Sequence, residues 1–230
     1  ARTRRGRAVS DRPVIAIVGG TGAEGTGLAV RWARAGYRVI VGSRSAERAA
    51  ASAAALSDHG AVEGAANIDA AAEADIVVVT VPFAAQRQTM TDIADAARGK
   101  IVIDVTVPLV PPRVARVQLP PEGSAAAIAQ GILGADTRVV SAFQNVAADH
   151  LADPGHETEC DVLVCGDSRE ARAQAVALIE AAGLRGIEAG PLDNAVAAEA
   201  LTSVLIWINR RYESPGSGIR ITGLPGDDAG

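Results

Sequence analysis

Aromatic side chains are nearly missing from this 230-residue chain: two each of Phe, Tyr and Trp make up 3% of it, beside one methionine and one lysine, Lys100. A core built without large rings must come from Ala, Val, Ile and Leu, a composition suited to parallel strands buried on both faces. No apolar run approaches the ~20 residues needed to cross a bilayer, which excludes a membrane-spanning helix. Net charge is −5 and the cations are almost all Arg, so the global basic surface that nucleic acid would require is missing. The opening stretch, Ala1 to Ser10, is Arg-rich but lacks the apolar core of a secretory signal. Residues 1–12 are therefore expected to form a flexible tail, and residence in the cytoplasm is the default. Two cysteines, Cys160 and Cys165, are too few for a disulfide framework and are expected to be small buried thiols. His59, His150 and His156 share no metal-ligand spacing, and no nucleophile elbow, P-loop or paired-carboxylate constellation stands out. No metal site is expected.

What the chain does contain is a regular alternation. Strand-like runs fall at Val14 to Val18, Val39 to Val41, Asp75 to Val81, Lys100 to Val107, Arg138 to Ala142, Asp161 to Val164 and Gly186 to Ala189. Ala-rich segments of helical character separate most of them: Ala23 to Ala35, Ala46 to Leu56, Ala84 to Ala97, Ser124 to Leu133 and Arg169 to Ala182. This order predicts an α/β fold of the Rossmann type, a doubly wound and mostly parallel sheet with helices on both sides. A dinucleotide domain is expected over residues 13–143 and a smaller C-terminal α/β unit over residues 144–230. The prolines of Pro108 to Pro112 and Leu119 to Ser124 bracket a stretch that cannot be regular helix, because proline lacks the N–H and restricts the residue before it. Near the end, Val196, Leu201, Val204, Leu205 and Ile208 recur at helical spacing within Asn194 to Tyr212, a face suited to core or to a subunit interface. Trp207 is the interface candidate there, and a homodimer is the expected assembly.

The first strand runs into Gly20-x-Gly22-x-x-Gly25, a spacing with a mechanical reading. Gly20 permits a tight turn, Gly22 lets a pyrophosphate approach the backbone, and Gly25 lets helix and strand pack closely. The N–H groups that open the helix then face phosphate oxygens. An NAD site would place a carboxylate at the end of the second strand to accept from the ribose 2′-hydroxyl. This chain has Gly42-Ser43-Arg44 instead, with Arg48 one helical turn further. Arg offers a rigid fork of donors matched to phosphate, so Ser43, Arg44 and Arg48 are expected to clamp a 2′-phosphate and the cofactor is expected to be NADP(H). The alternative is that both arginines are solvated helix-start charges, with Glu47 available to pair with either.

Hydride transfer between two carriers needs aligned rings more than acid or base chemistry. Thr80-Val81-Pro82-Phe83 ends a strand on the ligand side and could form an apolar shelf for a nicotinamide. Ser141-Ala-Phe-Gln-Asn-Val146 ends the next one and presents the amides of Gln144 and Asn145, each able to donate and accept. Asp104 and Thr106 could line the same region or serve as local hydrogen-bonders. Lys100 starts its strand at the end away from this site, against a catalytic role.

These residues resemble the NADPH-dependent F420 reductases, a family that exchanges a hydride between NADP and an 8-hydroxy-5-deazaflavin coenzyme. The resemblance runs from Val14 to Leu224. Gly19 to Ala29, Gly42 to Arg48 and Thr80 to Pro82 carry it in the first half; Ser141 to Val146, Val164 to Asp167, Ala189 to Asn194 and Gly218 to Leu224 carry it in the second. It implies that Thr21, Gly22 and Ala23 line the pyrophosphate, that Ser43, Arg44 and Arg48 hold the 2′-phosphate, and that Thr80, Val81 and Pro82 border the nicotinamide. Gln144, Asn145 and Val146 would then sit beside coenzyme F420 as co-substrate. No side chain is expected to act as catalytic acid, base or nucleophile. The chain departs from the family at two places: archaeal members have His-Thr-Ile where Gln144-Asn145-Val146 stands, and Phe83 replaces a frequent Trp. A reductase of an imine or keto acid and a noncatalytic NADP sensor are the rival readings, the first wanting a catalytic acid that does not stand out in the sequence.

Overall fold

The computed structural model describes residues 12–153, 155 and 159–225. The expected N-terminal tail and His156 lie outside the described residues, apart from Arg12. Strands β1 (Ile15–Val18), β2 (Val39–Ser43), β3 (Val62–Ala66), β4 (Ile76–Val79), β5 (Ile101–Asp104), β6 (Arg138–Ser141), β7 (Asp161–Gly166) and β8 (Arg185–Glu188) form one sheet in the order β3-β2-β1-β4-β5-β6-β7-β8. β1 to β6 are parallel; β7 runs antiparallel to β6, and β8 parallel to β7. The boundary expected at residue 143 falls between β6 and β7, where the sheet reverses direction without a break.

The central strands are buried along their whole length, as runs of Ile and Val covered on both faces must be. On one face lie α1 (Ala23–Arg34), α2 (Ala46–Ala55), α6 (Ala148–Ala152) and α7 (Arg169–Ala181), packing Leu28, Trp32, Leu151, Leu178 and Ile179 against β1, β4 and β5. The indole N–H of Trp32 donates to Leu178 O at 2.8 Å, joining α1 to α7 across the end of the sheet. On the other face α3 (Asn67–Glu73), α4 (Phe83–Ala97), α5 (Ala125–Leu133) and α8 (Ala195–Tyr212) bury Met90, Ile93, Ala126, Ala129 and Ala195. Lys100, at the N-terminal edge of β5, donates to the carbonyls of Ala71 and Ala72 at the end of α3, a structural use of the chain's one lysine.

Three differences from the sequence reading have physical causes. β3 and α3 were not expected; Val62-Glu-Gly-Ala-Ala has one β-branched residue because it is a half-buried edge strand, and Gly64 is packed so tightly that a Cβ there would meet the Ala49 backbone. The strands predicted over Asp75 to Val81 and Lys100 to Val107 stop at Val79 and Asp104, which leaves Thr80 to Pro82 and Val105 to Val107 as loop at the C-terminal edge of the sheet. Helix α8 buries the predicted apolar stripe only in part: Leu205 faces inward with Ala195, Ala198, Glu199 and Ser203, while Val204 and Trp207 are 44% and 54% exposed. Residues between Asp104 and Ser124 form no helix or strand, as the prolines require.

Candidate functional site

In the strand order the sheet winds in opposite directions from β1 and β4, and ligands of open α/β sheets sit in the crevice outside the carboxyl ends of such a pair. The loops after β1 and β4 flank that crevice. Gly19 turns the chain with φ +75°, and Gly20 N–H donates to Ile17 O and to Gly42 O, tying the first loop to the end of β2. A Cβ on Gly20 would meet Ile17 O at 2.7 Å, whereas one on Gly22 would meet nothing within 4 Å. The protein's own packing does not require Gly22 to lack a side chain. It also occupies the N-cap of α1 with no side chain capping the first turn, so the N–H groups that follow Gly22 point into the crevice beside Thr21 and Ala23. Glu24 in that turn is pushed up to about 8 by burial, which favours its neutral form where an anion would approach.

Asn67 was missed in the sequence. Its Oδ1 accepts from Gly19 N–H at 3.2 Å, bridging the glycine loop to the start of α3. The only available signal was an Asn opening a short helix after an unrecognised strand.

At the end of β2, Ser43 is buried and its hydroxyl accepts from Ser45 N–H at 3.3 Å, while Ser45 caps α2 by accepting from Arg48 N–H. Arg44 and Arg48 are exposed, and neither makes an ion pair among the described residues. Glu47 accepts from the Ser45 hydroxyl at 2.6 Å and engages neither guanidinium. The end of β2 carries Gly42, Ser43 and Arg44 and no carboxylate.

Thr80 N–H donates to Val18 O, and the Val81 side chain occupies the space a Cβ on Gly19 would need. Pro82 opens α4 and is exposed, with half-buried Phe83 beside it. The β4 loop is therefore packed directly on the glycine turn.

Beyond β6, Phe143 adopts φ +75°, is fully buried and meets the Trp32 ring edge-on at 6.1 Å. That left-handed residue turns the chain so that Gln144 and Asn145 leave the core on the other side. Both are nearly sealed, at 4% and 2% exposure. Of the two roles the sequence offers these amides, donating and accepting, the first is already taken up within the protein. Gln144 Nε2 donates to Asp104 O at 2.8 Å, and Asn145 Nδ2 donates to Asp161 O at 2.6 Å and to Cys160 Sγ. The acceptors Gln144 Oε1 and Asn145 Oδ1 have no partner, and neither do Ser141 Oγ and Gln86 Oε1, which lie in the same region. Buried acceptors without donors are costly unless a ligand or water supplies them. A cleft of about 380 Å³ borders Asn145 and Ala147, with His150, Glu159, Cys160 and residues 216–220 as its other walls. Cys160 and Cys165 are free and buried, as expected.

Arg31 anchors this side. Its guanidinium donates to the carbonyls of His150, Leu151, Asp153 and Ala182, gathering the C-terminal end of α6 onto α1. Burial lowers its pKa, with Asp153 opposing. Among the described residues there is no cluster of three metal-ligating side chains, and no helix is long and apolar enough to cross a membrane.

A glycine-cradled crevice at the switch point, open to phosphate and flanked by unpaired guanidiniums, defines a dinucleotide-binding α/β protein of the Rossmann class. The sequence narrows this further. The model of the family described as NADP oxidoreductase, coenzyme F420-dependent, matches residues 14–108. Over 221 residues the chain is 45% identical to the F420-dependent NADP reductase of Methanothermobacter thermautotrophicus, covering 92% of this chain and 95% of that one. Identity to the F420-dependent NADP reductase of Methanocaldococcus jannaschii is 39%, over 91% of this chain and 98% of that one. A solved structure from Arthrobacter sp. FB24 superposes with a TM-score of 0.81 at 26% identity, covering 92% of this chain and all of the other. The chain belongs to the F420-dependent NADP reductase family.

Proposed function

We propose that this protein transfers a hydride reversibly between NADP(H) and the deazaflavin coenzyme F420. The observation that carries the reading is the end of β2, where Ser43, Arg44 and Arg48 stand in place of a carboxylate, in a chain of this reductase family. The glycine loop fits a pyrophosphate: Gly22 has open space above it, and the first turn of α1 offers uncapped N–H groups. With Gly20, Thr21, Gly22, Ala23 and Gly25 on the pyrophosphate and the two guanidiniums on the 2′-phosphate, the nicotinamide falls against Thr80, Val81 and Pro82.

When both are bound, the nicotinamide supplies a hydride from C4 and the deazaflavin takes it at C5. The protein's part is alignment. Pro82 and Phe83 give one apolar wall, and the β6 turn gives the other through Gln144, Asn145 and Val146. Because their N–H groups are engaged, Gln144 and Asn145 meet the second ring as acceptors, through Oε1 and Oδ1, which suits the imide N–H of a deazaflavin pyrimidine. Glu159, Cys160 and residues 216–220 form the far wall of the cleft. No side chain is assigned as catalytic acid or base: hydride transfer between aligned rings needs none, and Asp104 and Glu199 are sealed at 0% and 1% exposure. The same reading includes a homodimer formed through the exposed Val204 and Trp207 of α8.

Purified protein, NADPH and three acceptors in parallel (coenzyme F420, flavin mononucleotide and riboflavin) test this. Bleaching of the deazaflavin absorbance, with little or no oxidation of NADPH by the flavins, is the expected result. NADPH binding without any deazaflavin turnover would overturn it.

A further inference from the structure

Two carboxylates lie buried behind the β6 turn, Asp104 and Glu199, 95 residues apart in the chain. Asp104 ends β5, in register with Ser141 of β6, which is in turn paired with Cys165 of β7. Glu199 reaches the same place from α8. Its two oxygens accept from Ala125 N–H at 2.6 Å and Ala126 N–H at 3.0 Å, at the start of α5. Asp104 accepts from Thr106 N–H at 3.1 Å and from Gln86 Nε2 at 2.5 Å, and the same Gln86 amide donates to Ala125 O at 2.8 Å. The two acids are therefore joined through Gln86 and the single residue Ala125. Among the described residues neither has a cationic partner in direct contact. Cys165 is the other titratable group facing Glu199; its thiol is pushed up to about 11, by burial first and by Glu199 second, with Arg172 of α7 opposing. α4 contributes only Gln86 and α5 only backbone to this junction.

Gln144 is held between the same two elements. Its Nε2 donates to the backbone carbonyl of Asp104, and its own carbonyl accepts from Thr202 Oγ1 at 2.6 Å, one turn of α8 beyond Glu199. Whatever fixes the spacing of α8 from β5 fixes Gln144.

We propose that Asp104 and Glu199 act together as the positioning pair of the acceptor site: one proton retained between them lets α8 seat on β5 and α5, and that seating sets Gln144 against the deazaflavin ring. The inference rests on the placement of the deazaflavin beside Gln144. Burial raises Asp104 to about 6 and Glu199 to about 8, with Asp104 adding to the rise at Glu199. Raised acid pKa values mean that the folded state holds protons the unfolded chain has released, so the pair's contribution to stability falls as pH climbs from the unfolded carboxylate range toward about 8. Above that pH both acids are ionised, like charges without a cation between them, and α8 loosens from the junction.

Two readouts test the pair. In the first, the melting temperature of the ligand-free protein is followed from pH 5 to pH 9 for wild type, Glu199→Gln and Asp104→Asn. Wild type is expected to lose stability across this range and the variants to lose less. In the second, KM for F420 and for NADPH are measured over the same range. The wild-type KM for F420 is expected to rise above pH 8 by about tenfold per unit, the response to one ionisation, while both variants stay flat and KM for NADPH moves in parallel in all three proteins. Comparing variants with wild type cancels the titration of the substrates themselves. A wild-type KM for F420 that stays flat to pH 9, or variants that keep the wild-type slopes, would overturn the proposal. Absence of F420 turnover by wild type at every pH is a different failure; it would overturn the functional reading and, with it, the role of the pair at the acceptor.

Discussion

A Cβ placed on Gly25 would lie 2.5 Å from Cα of Gly20, so α1 can rest on the glycine turn only while Gly25 carries no side chain. Gly22, between them in sequence, has no such neighbour. Three glycines of one motif thus serve two masters, protein packing and ligand approach, and substitution separates them. Gly25→Ala should cost about 1–3 kcal/mol of stability, as forced overpacking does. Gly22→Ala, whose φ of −86° suits any residue, should leave the melting temperature within about 1–2 °C and yet weaken NADP binding tenfold or more. Calorimetric melting together with NADPH titration of both variants decides it; equal melting losses would mean that Gly22 is packed like Gly25.

The clamp at the end of β2 should discriminate between cofactors. Charge-assisted hydrogen bonds are worth about 1.5–3 kcal/mol each, so Arg44→Ala with Arg48→Ala should raise KM for NADPH by about 10²-fold or more and leave KM for NADH little changed. Equal losses with both cofactors would remove the 2′-phosphate from these residues.

Arg31 donates to four carbonyls from a position only 7% exposed. Arg31→Met keeps the bulk and strands those acceptors, which should cost about 3 kcal/mol, or about 6–12 °C in melting temperature for a chain of this size. Because α6 follows the β6 turn directly, KM for F420 should rise more than KM for NADPH. A variant as stable as wild type would show that α6 is held by other contacts.

Trp207 is 54% exposed on a helix whose inward face is built mostly from small and polar residues. Trp207→Glu should convert a dimer to a monomer in sedimentation equilibrium without altering the far-ultraviolet circular dichroism. An unchanged mass would place the dimer contact elsewhere or show that the chain is monomeric.

The parallel core was legible because strands buried on both faces leave near-continuous Ile and Val runs, and β1, β4 and β5 do so. β3 was not, since an edge strand of Val62-Glu-Gly-Ala-Ala carries neither alternation nor bulk. The glycine turn was legible because its geometry is local in sequence, Gly19 and Gly20 turning the chain directly after β1. Gln144 was placed at the right strand end, but its donor turned out to be taken by Asp104, a partner 40 residues away that no local pattern announces. Glu199 was invisible for the same reason: a lone acid on an apolar helix reads as a solvated charge, and the N–H groups it accepts from are 73 and 74 residues distant.

Direct transfer between aligned rings is the central claim, and an isotope follows it. NADPH deuterated at the transferred C4 position, mixed with F420 and the protein in ordinary water, should deliver its deuterium to C5 of the reduced deazaflavin with no dilution by solvent hydrogen. Protium at C5, with the deuterium lost to water, would contradict the account.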